Sequence, residues 1–164
     1  TYAQMDKRLI IPFYYKDRIV GHTGRLVVES SAPKYFTDSQ QGYVFNLDAQ
    51  DWQRKYVIVT EGPFDAIGVD GVSILGSEVN DKQIDLINQL GRQVVVVPDR
   101  DQTGKKLIEQ VTELGWSVSF PQWEEHVNDT AQAVKEYGRI YTLRSIINGI
   151  ETNMVKIKLK TKTG

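Results

Sequence analysis

The chain of 164 residues contains no cysteine, which excludes disulfides and any cysteine-ligated zinc site within it. It has no apolar run long enough to span a bilayer, so no membrane contact is expected, and Thr1-Tyr2-Ala3-Gln4 is no signal peptide. It lacks an initiating methionine, so its start reads as a cut through a longer protein. Net charge is also nearly absent: 20 Lys and Arg against 21 Asp and Glu leave −1. Global charge therefore does not announce a nucleic-acid partner, and any basic surface must be local. What remains is ordinary for a globular protein, 40% hydrophobic and 25% charged. The length suffices for one domain that buries about two-thirds of its unfolded surface.

The most informative stretch is Val94-Val95-Val96-Val97-Pro98-Asp99-Arg100-Asp101-Gln102-Thr103-Gly104. Four consecutive valines have no polar face, so they read as a strand covered on both sides, as in a parallel sheet. Pro98 ends the pairing because it has no N–H to give. Asp99 and Asp101 then stand at the C-terminal mouth of the strand, where open α/β sheets place their ligands. Two residues apart in extended backbone, both carboxylates point the same way. At about 4 Å they would repel by roughly 4 kcal/mol at an effective dielectric near 20. A hard divalent cation between them would relieve that repulsion. The competing reading is a solvated turn in which Asp99 or Asp101 caps the next helix.

Upstream, Arg8 to Tyr15 and Arg18 to Val28 read as a β-hairpin turning at Lys16-Asp17, with Gly21 and Gly24 permitting bulges or close backbone approach. Loops flank Lys34-Tyr35-Phe36, and Asp48 is a candidate cap for a short helix through Trp52. From Tyr56 strands and helices alternate. Tyr56 to Thr60 is a buried strand, and Pro63 suits the first turn of a helix. Val72 to Leu75 is a short strand. Asn80 or Asp81 caps a helix over 82–90 that Gly91 ends. A helix over 103–114 follows the valine strand, then a strand over 116–120, then a helix capped by Asn128 or Asp129 and closed by Gly138. This alternation implies right-handed crossovers and a four-stranded parallel sheet flanked by helices, preceded by a small antiparallel or irregular α+β segment. The tail from Lys156 to Lys162 alternates charged and apolar residues, reading as an edge strand, a frayed end or the margin of the cut.

Glu61 follows one buried strand as the Asp99/Asp101 pair follows another, so on neighbouring strands the three carboxylates converge. This combination, Glu61-Gly62-x-x-Asp65 and then Asp99-x-Asp101-x-x-Gly104, resembles the Toprim domain shared by bacterial-type primases, topoisomerases and several nucleases. The segments Arg8-Leu9-Ile10-Ile11-Pro12-Phe13, Val20-Gly21-His22-Thr23-Gly24-Arg25, Pro33-Lys34-Tyr35 and Tyr43 to Asp48 resemble the region preceding Toprim in DnaG-like primases, bacterial or phage. Topoisomerases and Toprim nucleases lack that block. The resemblance runs from about Arg8 to Gly138. It implies three parts: residues 1–54 as the end of a primase N-terminal subdomain, 55–140 as the Toprim domain, and 141–164 as a helix and basic tail. Two departures stand out. The stretch Thr37 to Gly42 is short and lacks Lys and Arg, and His126-Val127-Asn128-Asp129 replaces the first acid of an Asp-x-Asn-Asp pattern.

The resemblance implies metal-dependent nucleotidyl transfer, the template-directed synthesis of RNA primers on single-stranded DNA. The alternative is a Toprim nuclease using water at the same acids. Mg²⁺ or Mn²⁺ would be the cofactor, with Asp99 and Asp101 as ligands and Glu61 and Asp129 as further contacts. Glu61 would serve in acid–base work or at the metal. Arg8, Arg25 and Lys34 would handle triphosphate or template, where Arg suits bidentate phosphate contact and Lys acts as a point charge. The partners would be single-stranded DNA, NTPs and a replicative helicase, in the cytoplasm of a bacterial or phage-infected cell. Asp65 is expected either to support the site or to pair with Arg100 or a lysine. Tyr14, Tyr15, Tyr35 and Phe36 read as core, with base stacking as the other option. Lys105 and Lys106 could reach phosphate or face solvent, and His22 and His126 read as structural.

Overall fold

The structure, a computed structural model, describes residues 2–50 and 53–163. The chain divides into two units between Tyr43 and Val44, each with its own sheet. In the first, β1 (Arg8–Tyr15), β2 (Arg18–Leu26) and β3 (Tyr35–Asp38) form an antiparallel sheet in that order. The hairpin turns where expected. Lys16 and Asp17 have φ of 49° and 60°, the left-handed pair of a type I′ turn, whose twist matches that of the strands. The register shifts between Phe13 and Tyr14. Phe13 is fully buried and stacks on Tyr43 with ring centres 5.1 Å apart. Tyr14 and Tyr15 are exposed and Tyr35 and Phe36 half-buried, so these four rings are not the core expected of them. On β1, alternation puts Phe13 inward and turns its neighbours Tyr14 and Pro12 the other way.

The second unit runs β4 (Tyr56–Thr60), α1 (Pro63–Val69), β5 (Val72–Ser73), α2 (Asp81–Asn88), β6 (Gln93–Val96) and α3 (Gln102–Glu113). It continues with β7 (Ser117–Ser119), α4 (Thr130–Tyr137), α5 (Arg139–Asn148), β8 (Ile150–Glu151) and α6 (Met154–Thr163). The sheet order is β5-β4-β6-β7-β8. The first four strands are parallel, and β8 adds an antiparallel edge that the sequence reading did not anticipate. The valine run behaves as its lack of a polar face requires. Val94 and Val96 join one core with Val57, Val59, Ile87, Leu107 and Val111, while Val95 and Val97 join the other with Ile58, Val69, Val127 and Ile146. Each fully buried valine is worth about 1.5–3 kcal/mol relative to exposure, so the run ties both layers to the sheet.

Two further expectations are corrected. The tail is neither edge strand nor frayed end but helix α6, because Asn153 caps it: its Oδ1 accepts the N–H groups of Val155 and Lys156 at 3.0 and 3.1 Å. Ile157, 1% exposed, anchors the helix in the first core. Asp48 and Ala49 form a turn with no helix through Gln50, and Trp52 lies outside the described residues. Gly149 ends α5 where a Cβ would meet the Phe120 backbone at 2.8 Å, which lets β8 close on β7.

Candidate acid site at the sheet switch point

The chain goes from β4 to β5 on one side of β4, then to β6 on its other side. The crevice at the C-terminal ends of β4 and β6 is therefore the topological switch point, where open α/β sheets bind ligands. Glu61 leaves β4 there and Asp99 leaves β6. The local chemistry follows from Pro98. Val97 N–H still donates to Val59 at 2.9 Å, Pro98 has nothing to donate, and the next donor, Asp99 N–H, is met by Glu61 Oε1 at 3.0 Å. A side chain thus continues the ladder that the proline interrupts, and it sets the two acids side by side.

The remaining carboxylates nearby have structural partners. Asp101 caps α3, its Oδ1 accepting Gly104 N–H at 2.8 Å and the Thr103 hydroxyl at 2.7 Å. Gly104 is required there, since a Cβ would fall 2.0 Å from the Asp99 carbonyl oxygen. Asp129 caps α4 through Gln132 N–H at 2.6 Å. Asp65 Oδ1 accepts Ala131 N–H at 2.7 Å, so it braces α1 against the start of α4. Arg100 donates instead to the main-chain carbonyls of Pro121, Trp123 and Glu124. Helix N-termini favour all three of these acids. Asp99 is different. Its carboxylate has no hydrogen-bond or ion-pair partner among the described residues.

Electrostatics separate the acids further. Burial pushes Asp99 up to about 8, with the charges of Glu61, Asp65, Asp129 and Asp101 adding to it. Glu61, 8% exposed, is raised to about 7 by burial and by Asp101 and Asp65, against the N–H of Asp99 that favours its charged form. Asp101 moves the other way: the Gly104 N–H at the helix start holds it below the usual carboxylate range. The capping role weighed for Asp101 is thus realised, and its environment is unlike that of Asp99.

These donors are all oxygens, and Asp99 is a half-buried carboxylate among like charges with no protein cation against it, a fit for a hard divalent ion. Among the described residues no three His, Cys, Asp or Glu side chains are grouped to hold an ion by themselves. Such a site suits Mg²⁺, which is held by one or two carboxylates and keeps waters or phosphates elsewhere. Beside the crevice opens a cleft of about 800 Å³, lined by Asp99, Asp101, Lys105, Phe120, Trp123 and Lys160 among others. Lys160 and Trp123 were not singled out from the sequence. Lys160 reaches the cleft only because the tail is helical, placing residues 157, 160 and 161 on one face.

In the first unit, the Arg8 guanidinium donates to the carbonyls of Gln4, Gly24, Pro33 and Lys34 at 2.7–3.2 Å, clamping the sheet edge. Arg25 and Lys34 both approach the Tyr35 ring, at 5.9 and 5.7 Å from its centre. Arg25 pairs with Tyr35 in strand register. His126 lies 3.5 Å from each of Glu124 and Glu136 and is exposed.

The chain is similar to known proteins in sequence and in fold. The family model described as Toprim-like matches residues 58–133. The DNA primase of Aquifex aeolicus is 28% identical over 87% of this chain and 32% of its own length. The DNA primase of Campylobacter jejuni is 30% identical over 64% of this chain and 20% of its own. The chain therefore spans a third or less of these relatives. Among solved structures, the zinc-binding and RNA polymerase domains of the Aquifex aeolicus primase match with a TM-score of 0.70 at 26% identity, over 90% of this chain and 41% of that one. The primase fragment of the bacteriophage T7 primase-helicase shares the fold, with a TM-score of 0.63 at 17% identity over 84% of this chain and 62% of that one. Residues 58–133 thus match a Toprim-like family model, and the chain is similar in sequence and in fold to DNA primases.

Proposed function

We propose that this chain is part of a primase catalytic core and that the Glu61/Asp99 crevice carries nucleotidyl transfer in template-directed RNA primer synthesis. The observation that carries the reading is the contrast among the acids. Asp65, Asp101 and Asp129 each satisfy a helix start, whereas Asp99 sits half-buried beside Glu61 with no protein group to balance it. Folding alone does not account for such a group. In the reaction a primer hydroxyl attacks the innermost phosphate of an incoming NTP and pyrophosphate leaves. Mg²⁺ or Mn²⁺, when bound, neutralises charge on the phosphates and aligns nucleophile with leaving group. Asp99 would hold it, with Asp101 and Asp129 reaching it directly or through water. Glu61 would hold or accept a proton at Oε1 or Oε2 near the attacking hydroxyl. The relatives are DNA primases, which favours synthesis over cleavage at these acids.

Single-stranded DNA and NTPs follow as substrates of the longer protein. A helicase partner is suggested by the phage T7 neighbour, whose primase is joined to a helicase. Arg25 and Lys34, which both flank the Tyr35 ring, are candidates for phosphate contact, and the Arg8 guanidinium is taken up by carbonyls. Residues 1–54 would then complete an N-terminal subdomain of the core, before a Toprim domain over 55–140 and a terminal helical part over 141–164. A bacterial or phage-infected cytoplasm is the matching location. Mn²⁺ binding to the full-length protein tests the metal assignment: Asp99→Ala should weaken it at least about tenfold, the scale of losing a supporting contact at a metal. Binding unchanged by Asp99→Ala would remove the assignment.

A further inference from the structure

Arg100 stands between the two aspartates of the strand exit, and its side chain is anchored. Nη1 donates to the carbonyls of Trp123 and Glu124 at 3.2 and 3.0 Å, and Nη2 to that of Pro121 at 2.9 Å. The guanidinium carbon lies 5.6 Å from the centre of the Trp123 ring, which is itself fixed by its Nε1 donating to Ser145 at 2.7 Å. The backbone N–H of Arg100 donates to Asn128 at 2.8 Å. One residue therefore grips both ends of the segment 121–128, and Asp129 follows immediately. That segment contains no strand or helix of its own. It is held by these bonds and by the burial of Trp123 and Val127. The Tyr137 hydroxyl also accepts Glu124 N–H at 3.1 Å, and the Gln132 side chain accepts Asn128 N–H at 3.1 Å and donates to the His126 carbonyl at 2.9 Å. Three carbonyls converging on one group suit the planar fork of arginine, and an ammonium is a single point that cannot span them.

We propose that Arg100 is a positioning residue for the acid crevice: by fixing the 121–128 segment against the Asp99–Asp101 turn, it sets the place of Asp129 beside Asp99 and so the affinity for a divalent cation. This rests on the reading of the crevice as a cation site. Asp129 belongs to that crevice because the 2.8 Å bond from Arg100 N–H to the Asn128 carbonyl ties the residue after Asp99 to the residue before Asp129. Arg100 itself touches no reacting group; it acts through the loop.

The test is Mn²⁺ affinity of the full-length protein, read by electron paramagnetic resonance. Arg100→Met should weaken binding about tenfold, the low end for groups that orient metal ligands. Millimolar methylguanidinium should restore most of that loss, and Arg100→Lys should recover little. Asp129→Asn keeps a good helix cap. In the Asp129→Asn background, Arg100→Met should cost almost nothing further, an outcome that general destabilisation would not give. Should Arg100→Met fail to fold, Arg100→Lys is carried through the same cycle. Mn²⁺ binding that depends on Asp99 but is unmoved by the Arg100 substitutions overturns this inference alone. An equal loss with and without Asp129→Asn also overturns it. Wild-type binding that is indifferent to Asp99→Ala overturns the cation site and this inference together.

Discussion

Glu61 and Asp99 meet through a hydrogen bond that exists because Pro98 leaves the next backbone donor to a side chain. Both are raised above the ordinary carboxylate range, so the folded protein holds protons that the unfolded chain has released. The sign follows: the contribution of this pair to stability is fully present below about 4 and is lost as pH rises through a window from about 4 to about 8. Asp101 does not offset this, because its lowered pKa acts only below its unfolded value of 3.8. The thermal midpoint of the metal-free protein should therefore fall between pH 5.5 and 8, and less steeply in Asp99→Asn. A midpoint that rises over that interval would show that the buried pair is not protonated as described. Metal should reverse the trend, since binding requires the deprotonated ligands. For Glu61, the expectation is a role in turnover. Glu61→Gln in the full-length protein should cut primer synthesis by about a hundredfold, the low end for acid–base catalysis, with a much smaller change in Mn²⁺ affinity. Equal losses in both measurements would make Glu61 a metal contact only.

At the scale of elements, much of the architecture was legible. The valine run lacked a polar face, and it lies between two cores. Gly91 ends α2 at a φ of 64°, and Asn80 caps that helix. The tail was not legible, for a physical reason. Lys156-Ile157-Lys158-Leu159-Lys160 alternates with period 2, yet only Ile157 is buried, while Leu159 is 59% exposed. The pattern carried no information about burial, and the cap at Asn153 decided the outcome. Ile157→Ala should destabilise the second unit by about 2–5 kcal/mol, the range for truncating a large aliphatic core residue. Chemical denaturation checks it; a loss below about 0.5 kcal/mol would mean that α6 is not docked as described. The role of Arg100 was equally hidden, because its partners are main-chain carbonyls, which no residue type announces. The cap at Asp101 and a metal ligand at Asp101 call for the same residue, so spacing alone could not separate them.

For the whole molecule, the two units carry different parts of the proposal. The second has the acids, the cleft and the Toprim-like match; the first has Arg25, Lys34 and exposed tyrosines on an antiparallel sheet. The chain spans 32% of one relative and 20% of another, so the proposed reaction is to be measured in the full-length protein. The central claim is that the unbalanced carboxylate of Asp99 serves primer synthesis. The most direct measurement is incorporation of labelled ribonucleotide on single-stranded DNA by the full-length protein, wild type against Asp99→Asn, at saturating Mg²⁺. Loss of at least about a hundredfold is predicted, the scale of removing one main electrostatic contact to the transition state. Synthesis within about twofold of wild type, on the same scale, would contradict the account.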